Sequence, residues 1–126
     1  MLKTIVVGTD GSNTAEKAIE EASEPASAVG ASVHIARAVA GPGGDPEGEL
    51  ERAAETAKKA GVEAETHIVR DDASEALIAA AEEHDADLIL IGNEGMAGAR
   101  RFLLGSVVPN DAAHHAPCSV LIARTS

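Results

Sequence analysis

Short apolar runs alternate along this chain with longer stretches in which apolar residues recur every three or four positions. Thr4 to Gly8 carries Ile5, Val6 and Val7 with no polar residue between them, the pattern of a strand buried on both faces. From Ala15 the positions Ala15, Ala18, Ile19, Ala22, Ala26 and Val29 follow helical spacing and end near Gly30. Pro25 lies inside that stretch, where its missing N–H and its ring predict a kink. Ser32 to Ala36 reads as a second strand, and Ala40 to Glu47, with Gly41-Pro42-Gly43-Gly44, as a flexible connection. Leu50, Ala53, Ala54 and Ala57 give a second helix a narrow apolar stripe, closed by Lys58, Lys59 and Gly61. Val62 to Val69 differs in kind. Its Glu63, Glu65 and His67 alternate with Ala64, Thr66 and Ile68, which predicts a strand with one wet face near a sheet edge.

Asp72-Ala-Ser-Glu75 has the form of a capping box and predicts a helix to about His84. Asp87 to Ile91 is a fourth strand, Ser106 is placed to cap a last helix through His115, and Ser119 to Ala123 is a fifth strand. Strands alternating with helices predict a parallel sheet built by right-handed crossovers. The 126 residues suffice for one domain, spanning 1–126, and show no internal repeat.

Composition narrows the function. A formal charge of −11, from 21 acidic and 10 basic residues, opposes binding to a nucleic-acid backbone, and one aromatic residue, Phe102, leaves no platform for stacking bases. The acidity suits a salt-adapted source as well as an ordinary acidic protein. The single Cys118 rules out an intramolecular disulfide framework. No apolar run approaches the length of a membrane span, and no basic start leads into a long apolar stretch, so a cytoplasmic location without membrane contact is expected.

The stretch that carries chemistry follows the most apolar run. Gly92 is followed after two residues by Gly95, and after nine more by Gly105-Ser106. A glycine-rich crossing from strand to helix lets backbone N–H groups converge on an anion, aided by the free N–H groups of the next helix. This spacing resembles the nucleotide loop of the universal stress protein family. Thr9-Asp10-Gly11-Ser12 after the first strand, Gly105-Ser106-Val107 in the loop, and His115-Ala116-Pro117-Cys118 before the last strand resemble the same family, so the likeness extends over nearly the whole chain.

The resemblance implies an open five-stranded parallel sheet of order 3-2-1-4-5 with helices on both faces, the adenine nucleotide alpha hydrolase-like fold. It implies a stress-response regulator, not an enzyme, that binds ATP with Mg2+, or, in a second branch of the family, a dimeric interaction scaffold without nucleotide. By motif match Thr9 and Asp10 stand beside the ligand, with Asp10 on the ribose or on a metal carried by the nucleotide. Ile35 faces the adenine, Gly92, Gly95, Gly105 and Ser106 hold the phosphates, and Val107 belongs to the same nucleotide-binding set. Read from the residues alone, Asp10 equally suits a helix cap and Ile35 a core position. Glu94, Val108 and Pro109 depart from the family pattern, the first by placing a carboxylate near the phosphates. The family also implies a homodimer through Ser119 to Ala123, and a regulatory role implies a protein partner. In that strand order the short apolar Ser119 to Ala123 is an edge, which predicts pairing with a second copy.

Other chemistries lack their residues. There is no Lys-Ser or Lys-Thr after a second glycine, no Gly-x-Gly-x-x-Gly after the first strand, and no Gly-x-Ser-x-Gly elbow. His34, His67, His84, His114 and His115 have no metal-ligand spacing, so no metal site is expected from them.

Overall fold

A computed structural model describes residues 2–10, 13–39, 41–42, 44–71, 73–92 and 116–124. Within them the order is β1 (Thr4–Thr9), α1 (Asn13–Val29), β2 (Ser32–Ala38), α2 (Pro46–Lys59), β3 (Ala64–Val69), α3 (Ala73–Glu83), β4 (Leu88–Gly92) and β5 (Ser119–Ala123). The strands form one sheet in the order β3-β2-β1-β4-β5, with every neighbouring pair parallel, as the sequence led us to expect.

Alternation along the central strands divides the interior in two. Ile5, Val7, Val33, Ile35 and Leu90 point to one side, where they pack with Ala18, Ile19, Ala22 and Ala26 of α1 and Leu50, Ala53 and Ala57 of α2. Val6, Ala36, Ile89 and Ile91 point to the other and pack with Leu77, Ala80 and Ala81 of α3. The middle of β1 (Ile5 to Val7) and of β4 (Ile89 to Ile91) thus bury both faces, which is why those positions are all apolar. Gly8 serves the same packing, because a Cβ there would stand 2.9 Å from Leu77 Cδ2.

The helix ends share one device. Val62 N–H reaches Ala57 C=O and Gly61 N–H reaches Lys58 C=O, the paired bonds of a Schellman turn with Gly61 at φ 96°. Ala31 N–H bonds Ala26 C=O past Gly30 at φ 74°, and Ala86 N–H bonds Ala81 C=O past Asp85 at φ 56°. Asp85 holds without glycine a conformation that glycine adopts freely.

Several boundaries differ from the expectation. α2 begins at Pro46, inside the stretch read as a connection, because Asp45 caps it by accepting Gly48 N–H at 3.2 Å and proline occupies the first turn. The glycines just before it masked that start. β3 begins at Ala64 because the Val62 N–H is taken by the turn. As the spacing predicts, α1 continues through Pro25; Glu21 and Pro25 are both exposed, so water can reach the carbonyl that proline leaves without a partner. Val29, expected in the apolar stripe, is the last residue of α1 and is 59% exposed. The capping box at Asp72 and the last helix, Ser106 to His115, lie outside the described residues.

Candidate functional site

The strand order reverses between β1 and β4. β1 pairs with β2 as far as Thr9↔Arg37, and β4 pairs with β5 as far as Gly92↔Ala123. The ladder between β1 and β4 covers only Ile5↔Leu88, Val6↔Ile89 and Val7↔Leu90. The last two residues of each strand therefore pair outward and leave a gap at the carboxyl end of the sheet, where open α/β sheets take their ligands.

Thr9, Asp10 and Gly92 stand at this gap. Thr9 is buried, Asp10 half-buried with Oδ2 shielded from solvent, and Gly92 half-buried at the end of β4. Ile35 has no exposed surface and belongs to the core under α1 and α2, two residues before the end of the β1–β2 register at Arg37. Gly95, Gly105, Ser106 and Val107 lie outside the described residues, as do Glu94, Val108 and Pro109.

One charged group beside the gap escaped the sequence reading. Arg37, aligned with Thr9, donates from Nε to Glu49 Oε2 at 2.7 Å and from Nη1 to Ala38 C=O at 2.5 Å. Both side chains are 13% exposed, so the guanidinium is held in place with its charge balanced. A cavity of about 350 Å³ lies elsewhere, between α2 and β3, lined by Glu51, Glu55, Glu63 and Lys58. Three carboxylates against one ammonium make it a poor seat for phosphate. Cys118 packs against the second core, and burial first, then the charge of Asp87, push its thiol up.

Three of the histidines, which show no metal-ligand spacing in the sequence, come together in the fold. His34 on β2, His67 on β3 and His84 after α3 converge on one spot. His34 Nδ1 and His67 Nε2 are 2.9 Å apart and share a hydrogen bond, and His84 stacks on His34 with ring centroids 4.1 Å apart. The registers His34↔Glu65 and Ala36↔His67 set both strand residues on the α3 face, and the turn at Asp85 lays His84 over them. Separations of 33 and 17 residues carry no local motif, so only the topology unites the three. Burial, then His84, hold both His34 and His67 below the ordinary histidine value, with Glu65 opposing. His67 is half-buried on the face of β3 expected to be wet, while Ile68 opposite is 37% exposed.

The strand order, with helices on both faces, defines a doubly wound α/β protein whose order reverses between β1 and β4. The model of the universal stress protein family matches residues 1–124, and the chain belongs to that family. Universal stress protein YxiE of Bacillus subtilis is 35% identical over 75 residues, which are 60% of this chain and 50% of that protein; the match thus spans half the length of this relative. A universal stress protein solved in complex with cAMP is 37% identical with a TM-score of 0.84, covering 99% of this chain and 98% of its own. The universal stress protein of Archaeoglobus fulgidus solved in complex with dAMP is 26% identical with a TM-score of 0.73, covering 97% of this chain and 98% of its own. Such structures share the adenine nucleotide alpha hydrolase-like fold.

Proposed function

We propose that the chain is a stress-response regulator that binds an adenine nucleotide between the carboxyl ends of β1 and β4, with ATP as its ligand. The observation that carries the reading is the gap where the last residues of β1 and β4 pair outward, with Thr9, Asp10 and Gly92 at its rim. Two structural relatives were solved with cAMP and dAMP, which supports an adenine nucleotide as the ligand class. In this reading the backbone around Gly92, Gly95, Gly105 and Ser106 receives the phosphates, with Val107 in the same loop, while Ile35 is part of the core beneath. Asp10 offers the hard carboxylate oxygen that Mg2+ prefers, so a metal arriving with the nucleotide would meet it there. The protein would act by binding, not by catalysis, in the cytoplasm, as a homodimer paired through β5 and read by a protein partner.

Calorimetric titration with ATP, cAMP and adenosine, with and without magnesium, tests this. ATP should bind, and Gly95→Val should abolish binding with the fold retained, because a side chain would intrude on the approach of backbone to anion. Glu94→Gln should tighten ATP more than adenosine, since relieving a like charge helps only the charged ligand. No binding of any of the three by either the parent or Glu94→Gln would leave the interaction scaffold as the function.

A further inference from the structure

We propose that His34, His67 and His84 form a binding site for a divalent transition-metal ion, zinc being the ion it suits best. Each imidazole offers one nitrogen, and these atoms all lie within 4.8 Å of one another. Tetrahedral zinc with Zn–N bonds of about 2.0–2.1 Å separates its nitrogen ligands by roughly 3.3 Å. The His34–His67 pair, at 2.9 Å, is already near that spacing, and small rotations about the soft terminal ring torsions close the remainder. Imidazole nitrogen is a ligand that zinc and other late first-row metals favour.

The environment favours the same occupant. His34 is 7% exposed and rises from the hydrogen-bonded middle of β2, so one ligand is rigid. His67 and His84 are half-buried and leave a way in from solvent. Glu65 Oε2 lies 3.5 Å from His34 Nδ1 on a side chain 74% exposed, free to swing to the fourth position or to hold a water there. Binding exchanges the His34–His67 hydrogen bond for two metal bonds: the ring nitrogen that donated releases its proton, and the proton settles on the other nitrogen of the same ring. Zinc has no geometric demand of its own and accepts three imidazoles plus one oxygen.

The cluster lies over the β2–β3 edge on the α3 face, whereas the nucleotide gap lies between β1 and β4, so neither site needs the other. Untagged full-length protein should be titrated with Zn2+ by calorimetry and with Co2+ by visible absorption. We expect one saturable equivalent and the intense absorption of tetrahedral cobalt. Loss of a supporting group alone costs about 10–100-fold in metal affinity, so His84→Ala and His67→Ala should each weaken zinc by at least about a hundredfold. Both residues are half-buried, and circular dichroism of each variant establishes that it has folded. The double variant His114→Ala/His115→Ala should bind as the parent does. Absence of saturable binding by the parent, retention of affinity in folded His84→Ala and His67→Ala, or loss of it in the His114/His115 variant would each overturn the proposal.

Discussion

Asp87 ties the start of β1 to the start of β4. Its Oδ2 accepts Lys3 N–H at 2.8 Å and Thr4 N–H at 3.0 Å, and its own N–H donates to Thr4 C=O at 2.9 Å. The Lys3 N–H, then that of Thr4, hold the carboxyl below the ordinary value of 3.8. With the folded value depressed, the unfolded chain takes up the proton first. The contribution is therefore complete above 3.8 and is lost as pH falls through the folded value. Asp87→Asn keeps an acceptor oxygen but removes the charge. The thermal midpoint of the parent should exceed that of the variant by a constant margin from neutrality to about pH 5, and the margin should shrink below about pH 4. Parallel curves across that range would show that the two N–H bonds do not depend on the charge.

At the scale of elements, the three helix ends make a controlled comparison, because the same turn is built twice on glycine and once on aspartate. Gly61→Ala should cost about 1–2 kcal/mol, since a Cβ is strained at φ 96° and would stand 2.8 Å from Ser27 Oγ. Asp85→Gly should instead stabilise by roughly 0.5–1 kcal/mol. Chemical denaturation of the two variants beside the parent measures both, and equal signs would refute the account. The sequence revealed these elements unevenly. Ile5-Val6-Val7 and Leu88 to Ile91 were legible as strands because burial on both faces removes polar positions. Gly61 was legible as a helix end because the backbone there needs positive φ. Asp45-Pro46 was obscured by the glycines before it, although a capping carboxylate followed by proline is itself a start signal. In the candidate site, Asp10 and Gly92 were found through local motifs at strand ends. Arg37 and the three histidines were not, since what unites them is the register of parallel strands far apart in sequence.

At the scale of the whole molecule the two rims of the sheet expose different surfaces. β5 exposes Leu121 at 43% and Ile122 at 47%, while β3 at the other rim exposes Glu65 and Thr66. Pairing of β5 with its two-fold mate would cover the apolar rim, so sedimentation at micromolar concentration should find a dimer, and Ile122→Lys a folded monomer. Potassium chloride should favour the dimer by screening the repulsion between two chains of charge −11. A monomeric parent at every salt concentration would count against this interface. The difference between the rims also limits how far assembly can go. A unit with two adhesive ends polymerises, as a bifunctional monomer does, whereas a unit with one can only couple once and stop. With Glu65 and Thr66 exposed at the β3 rim, pairing through β5 would make this unit monofunctional, and a sheet growing at that one edge would end as a closed pair.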